Sequence, residues 1–224
     1  MTPDEQVGQK SHLELILKYL KDKEGTDSNV SLFHPFVTIS RQSGAGGHLL
    51  AHVLVTDMAR EQNTKLFGGW HVFDRNLCDM IAQDNQLHDS LQALLSERYR
   101  SEFREYVDSL FLGVASQYTN MKKIFHVVRT LATLGKMIIV GRSASFVTRD
   151  LPGGVHIRLV AHESTREGWM RKKLNLSKEE ATRTIKTQDA DRTKIAKVFF
   201  DRNIDDPVNY DVVWNTETAG MHEI

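Results

Sequence analysis

FVTISRQSGAGGHLLA, residues 36 to 51, changes character twice along its length. Phe36 to Ser40 is apolar and β-branched, the composition of a buried strand. Ser43 to Gly47, SGAGG, is a glycine-rich turn, and from about His48 to Arg60 apolar residues recur with helical spacing. Strand, glycine loop and helix in that order build an anion site. Glycines let successive backbone N–H groups converge, and the amino end of the helix adds partial positive charge. Ser43, Gly44, Ala45, Gly46, Gly47 and His48 are therefore the expected phosphate contacts. A tight structural turn would also explain a glycine cluster, but not its placement between strand and helix.

Outward from this stretch, four more segments have strand composition: HVFD (71 to 74), KMIIVGR (136 to 142), GVHIRLVA (154 to 161) and YDVVWN (210 to 215). Helical patterns fill Arg75 to Asp84, His88 to Gln117, Lys122 to Leu134 and Glu163 to Leu174. Ser177 and Glu180 have the spacing of a capping box, opening a last helix to about Phe200. Strands alternating with helices imply an α/β fold, a three-layer, doubly wound, five-stranded parallel sheet. Ligands bind such sheets at the carboxyl ends of strands, here the loops after Ser40, Phe73, Val140, Ala161 and Trp214.

The chain of 224 residues suits one such domain over residues 36 to 216, with a tail over 217 to 224. Residues 1 to 35 read as an extension. His12 to Lys23 is a helix with an apolar face, followed by a polar linker, KEGTDSNVS. The helix either packs on the domain or pairs with a second subunit as a homo-oligomer contact. It is expected to be dispensable for the sheet. Lys plus Arg and Asp plus Glu are 29 each, so no global charge points to nucleic acid or a membrane surface as partner. No apolar run approaches the roughly 18 residues of a membrane span. The start, MTPDEQVGQK, is not a secretory signal, and the single cysteine, Cys78, suits a reducing cytoplasm. Cys78 sits in a helical pattern and reads as a small buried hydrophobe.

Several charged residues fall at ends of elements. Asp74 and Arg75 follow the second strand, where they would contact an acceptor phosphate or form an ion pair with a neighbouring helix. Arg142 ends a buried strand, a place that packing does not ask for a charge. Asp189 and Arg192 share a helix face at i and i+3, as a lid pair or an intrahelical salt bridge. Arg166 and Arg171 read as solvated. His48 and His52 lie four apart, but there is no HExxH, CxxC or GxSxG, so neither a zinc site nor a serine nucleophile is expected.

Several ordered motifs resemble the cytidylate kinase-like family of the P-loop superfamily. FVTISRQSGAGGHLLA is similar to its opening strand and loop, GWHVFDRNLCDMIA (69 to 82) to its acceptor-binding start, and MIIVGRSASFVTRDLPGGVHIRLVA (137 to 161) to its third and fourth strands. IKTQDADR (185 to 192) and YDVVWNT (210 to 216) resemble its lid helix and last strand. The resemblance implies ATP-dependent phosphoryl transfer to a nucleoside monophosphate or similar acceptor, with magnesium accompanying ATP. Arg41, Arg142, Asp189 and Arg192 become the expected catalytic set, and Asp74 and Arg75 the acceptor contacts. The loop departs from GxxxxGK[ST]. Arg41 replaces the first glycine, Gly47 the lysine, and Leu49 stands where the magnesium-binding hydroxyl is expected. Arg41, or second His48, is expected to supply the missing positive charge. A non-catalytic nucleotide-binding module is the alternative that these losses favour.

Overall fold

The computed structural model describes residues 14, 16–18, 20, 21, 35–114 and 118–221. Five parallel strands form its sheet: β1 (Phe36–Arg41), β2 (His71–Phe73), β3 (Met137–Val140), β4 (Gly154–Val160) and β5 (Val212–Asn215), in the order β2-β3-β1-β4-β5. Every strand is short and apolar, as expected of a sheet covered on both faces. All four residues of β3 are buried and alternate between faces. Met137 and Ile139 join Phe36, Phe73, Cys78, Phe125 and Val128 in the principal core. Ile138 and Val140 join Val37, Ile39, Leu50, Ile157 and Leu159 beneath the first helix.

Helices cover both faces. They are α1 (Gly47–Met58), the short α2 (Thr64–Phe67), α3 (Arg75–Gln83), α4 (Asn85–Ala93), α5 (Glu97–Leu110) and α6 (Thr119–Leu134). The short α7 (Ala144–Val147), α8 (Glu163–Leu174) and α9 (Lys178–Phe200) follow. The region expected to be one helix from His88 is two, α4 and α5, broken at Leu94–Ser96 and preceded by the Asp84 cap on Gln86 and Leu87. The polar face of this stretch masks such a break, because both pieces keep a helical period. Strand ends also recede: Asp74 is not in β2 but caps α3, accepting from Asn76 and Leu77 at 2.9 and 3.1 Å. The capping box is present, with Ser177 N donating to Glu180 at 2.8 Å and Glu180 N to Ser177 Oγ at 3.2 Å.

The described part of the amino-terminal segment is helical, and Ile16 and Leu20 belong to the principal core at 1% and 7% exposure. Of the two alternatives for this helix, packing on the domain is therefore the one observed. Its Ile16 and Leu20 make it part of the principal core. Leu13, Leu15, Tyr19 and the linker lie outside the described residues. Cys78 is fully buried, and burial pushes its thiol up to about 12, so it packs and does not react. Among the described residues no helix is long and apolar enough to cross a membrane.

This topology sets the site. β1 is flanked by β3 on one side and β4 on the other, and the chain crosses over β1 between them. The loops leaving the carboxyl ends of β1 and β3 consequently stand side by side at the switch point, where doubly wound sheets bind ligands.

Candidate active site

The glycine loop runs from Gln42 to Gly46, and α1 begins at Gly47 with Gly46 as its left-handed cap residue. Ser43 is buried, and all three of its polar groups are taken by α8 and α9. Its N–H donates to Asp189 Oδ1 at 2.8 Å, its hydroxyl to Gln188 at 2.8 Å, and its carbonyl accepts from Arg166 at 3.0 Å. Arg192 Nη1 reaches Ser43 Oγ at 2.5 Å and Asp189 Oδ1 at 2.6 Å. The long helix α9 is thus clasped onto the loop. Gly44, at φ 83°, makes the clasp possible: a Cβ there would stand 2.6 Å from the Arg166 carbonyl oxygen.

Arg166 was read as solvated; instead it is 7% exposed and ties three elements together. It donates to Ala161 O at 3.0 Å, to Ser43 O and to Asp189 Oδ2 at 2.9 Å. Arg171 is an exposed i,i+4 partner of Glu167. The Asp189–Arg192 intrahelical pair exists, and the same two side chains also reach Ser43 in the loop.

The turn after β3 has an unusual backbone. Gly141, Arg142 and Ser143 all have positive φ, at 83°, 56° and 54°. Two consecutive non-glycine residues in this region cost on the order of 1–3 kcal/mol each, a cost that folds tolerate chiefly at functional positions. The turn carries Arg142 to Asp79, with which it forms a close ion pair, and Arg75 stands 3.7 Å from the same carboxylate. Asp79 was not singled out in the sequence; it lies one helical turn after Arg75, the spacing that would have marked it.

His48 Nε2 approaches Asp74 Oδ2 at 3.3 Å. Burial alone would raise the Asp74 carboxyl, but the hydrogen bonds from His48, Leu77 and Asn76 outweigh it and hold the carboxyl at about 2. Counted from Gly46 and Gly47, the position after the lysine site of the motif is His48, not Leu49. Leu49 is 43% exposed. A hydroxyl contact to magnesium is thus replaced by a histidine facing a carboxylate. Among the described residues no group of three or more metal-ligating side chains occurs. With Asp74 already shared by His48 and the cap of α3, these residues do not fit a dedicated magnesium cage.

Arg41, the last residue of β1, crosses the loop rather than pointing to solvent. Its stem passes Gly47 and its guanidinium ends beside Gly141. Burial, then the neighbouring Arg192 and Arg142, bring it down to about 9, so it stays charged at neutral pH. A cleft of about 280 Å³ opens next to it, between this floor, the Arg142 turn and α9. Arg41, Arg75, Arg142, Arg192 and Lys194 line it, with Asp191 as the one lining carboxylate and Tyr118, Met121 and Phe146 as the apolar wall. The structure therefore gathers Arg41, Arg75, Arg142 and Arg192 around one space, and puts Asp74, Asp189 and His48 behind it as partners.

Two further residues set the cleft floor. Arg158, 4% exposed in the middle of β4, donates to Ser40 Oγ at 2.9 Å and Asp205 at 2.7 Å. Tyr210 OH stands 3.4 Å from the same serine and donates to Ile204 O at 2.8 Å. An arginine inside the apolar run GVHIRLVA was a visible signal for Arg158: a buried charge needs partners.

The sequence model of the cytidylate kinase-like family matches residues 36–218. A search of curated proteins finds no match. Among solved structures, an uncharacterized protein from Eubacterium ventriosum ATCC 27560 is similar, with a TM-score of 0.60 at 18% identity, covering 81% of this chain and 88% of that one. At that identity the likeness concerns the fold, and it agrees with the parallel five-stranded architecture described above. The family match takes in all five strands, the glycine loop and the clasping helix, and on that span the chain belongs to the cytidylate kinase-like family.

Proposed function

We propose that this protein transfers the terminal phosphoryl group of ATP to a nucleoside monophosphate or a similar small phosphorylated acceptor. Family membership carries nucleotide-related kinase chemistry at the coarse level. The observation that supports the finer reading is the convergence of Arg41, Arg75, Arg142 and Arg192 on one cleft beside a glycine loop. In such a transfer an acceptor phosphate oxygen attacks the terminal phosphorus. The bond to the bridging oxygen breaks and ADP leaves with those electrons. Proteins catalyse it mainly by positioning and by neutralising charge, which is what an arginine-lined cleft offers. The glycine loop would hold the donor, Arg75 and Arg142 the acceptor phosphate, and Arg192 the phosphoryl group in flight. Magnesium, when bound with ATP, would offset phosphate charge and is held by the phosphates and water.

A coupled assay of ADP release, run with ATP and magnesium against a panel of monophosphates, tests this. ADP formation that depends on one acceptor class is expected. ATP binding without acceptor-dependent ADP formation would instead support a binding module. The loop's lack of the lysine and of the hydroxyl after it, with Gly47 and His48 in those places, is the observation that favours this second reading.

A further inference from the structure

We propose that Arg41 replaces the lysine missing from the glycine loop and binds the terminal phosphates of a nucleoside triphosphate, with Gly47 and Gly141 kept bare to make room for it. This rests on the phosphoryl-transfer reading and deepens it by naming the cation that meets the donor.

The lysine of GxxxxGK[ST] would begin at position 47. A Cβ built on Gly47 lies 3.1 Å from both Cγ and Cδ of Arg41 and 3.4 Å from Nε. The arginine stem therefore runs tightly past the point where a side chain at 47 would start, and one of the two must give by a few tenths of an ångström. At its far end the guanidinium abuts the turn after β3. A Cβ on Gly141 would overlap Nη1 and stand 3.0 Å from Cζ. The loss of the lysine and the gain of an arginine six residues earlier in the chain are thus one spatial exchange. The charge enters the same region from the strand side instead of the helix side.

Arg41 also differs from its neighbours in how it is held. Arg142, Arg158, Arg166 and Arg192 each pair with an aspartate, at Asp79, Asp205, Asp189 and Asp189 respectively. Among the described residues no hydrogen bond or salt bridge engages Arg41; Asp74 attracts its charge without touching it, while Arg192 and Arg142 repel it. The guanidinium is half-buried and lines the cleft instead of being locked in a structural pair, so an incoming anion meets it directly. The planar guanidinium matches two phosphate oxygens at once, which a lysine does not.

Calorimetric titration with tripolyphosphate and with ATP, each with and without magnesium, tests the exchange on four chains: the parent, Arg41→Ala, Gly47→Lys and the double variant. Arg41→Ala should weaken tripolyphosphate binding on the order of 10²-fold, as for truncation of one partner in a buried charge pair. Its melting temperature should not fall, because no hydrogen bond or salt bridge is lost and the repulsion from Arg192 and Arg142 is relieved. Gly47→Lys alone should bind no tighter than the parent, its new side chain crowded by the Arg41 stem. The double variant, with the stem gone, should recover most of the lost affinity. Parental affinity in Arg41→Ala overturns the inference, and so does Gly47→Lys that tightens binding with Arg41 still in place. A parent chain that binds no polyphosphate overturns the functional reading and the inference together. If Arg41→Ala does not fold, Gly47→Ala decides. It favours the helix but pushes the stem aside, and should weaken binding by about tenfold through misplacement of the charge. Unchanged affinity there contradicts the proposal.

Discussion

Arg192→Ala and Arg142→Ala each lower turnover by about 10²- to 10³-fold, comparable with removing one preorganised donor from a catalytic site. Their places account for the expectation. Arg192 projects from α9 over the loop, within reach of Ser43 and Asp189. Arg142 is held by Asp79 at the opposite wall of the same cleft. In phosphoryl transfer, charge spreads over the equatorial oxygens and the bridging oxygen between these walls. A contact strengthened only in the transition state affects turnover more than ground-state binding. The ATP dissociation constant should therefore move by less than about tenfold in either variant. Steady-state kinetics beside equilibrium ATP titration, with melting temperatures as a check on folding, read both effects. Variants that lose ATP affinity while turnover at saturation stays parental would contradict these roles.

Arg129→Ala is expected to destabilise the fold by about 3 kcal/mol, within the range for breaking a buried charge arrangement. Arg129 is 3% exposed on α6. Its guanidinium donates to Val147 O at 2.6 Å and grips both oxygens of Asp150 at 2.7 and 2.9 Å. The same group lies 3.9 Å from the Tyr106 ring centre and 4.7 Å from that of Phe103. It thereby joins α5, α6 and the end of α7. Asp150 is half exposed and finds water when left alone, so the cost comes from the bare Val147 carbonyl, the emptied aromatic cage and the cavity. Urea unfolding of parent and variant measures the difference, and a change below about 1 kcal/mol, the scale of an exposed ion pair, would contradict this account.

The order of strands, loop and helices was legible because most strands carry a short apolar run and the glycine loop sits at a change of period. FVTIS and MIIV are buried on both sides, so no alternative face competes for them. The loop's place between strand and helix was legible for the same local reason. What the sequence did not disclose depends on contacts between distant residues. Arg166 looks like any charge on a polar helix until α8 is laid against Ser43. Asp79 is an ordinary helix carboxylate until the left-handed turn brings Arg142 to it. Ile16 and Leu20 carry an apolar stripe that fits a neighbouring subunit as well as the home core, and only packing decides between them. The break between α4 and α5 was hidden because a short interruption leaves the helical period nearly in phase. Arg41 was legible as a charge at the loop, but its path over Gly47 to Gly141 was not, since nothing in a linear motif states that two side chains share one volume.

The central claim is that the loop from Ser43 to His48 and the cleft beside it bind the phosphates of a nucleotide. Backbone amide spectra of the isotopically labelled chain, titrated with ATP in the presence of magnesium, test it most directly. The account predicts saturable shifts concentrated on the amides of Ser43 to His48 and on the turn from Gly141 to Ser143. The Ser43 amide should show the largest change, as phosphate replaces Asp189. Saturating millimolar ATP that leaves these amides unmoved, or that shifts only residues away from both loops, would contradict it.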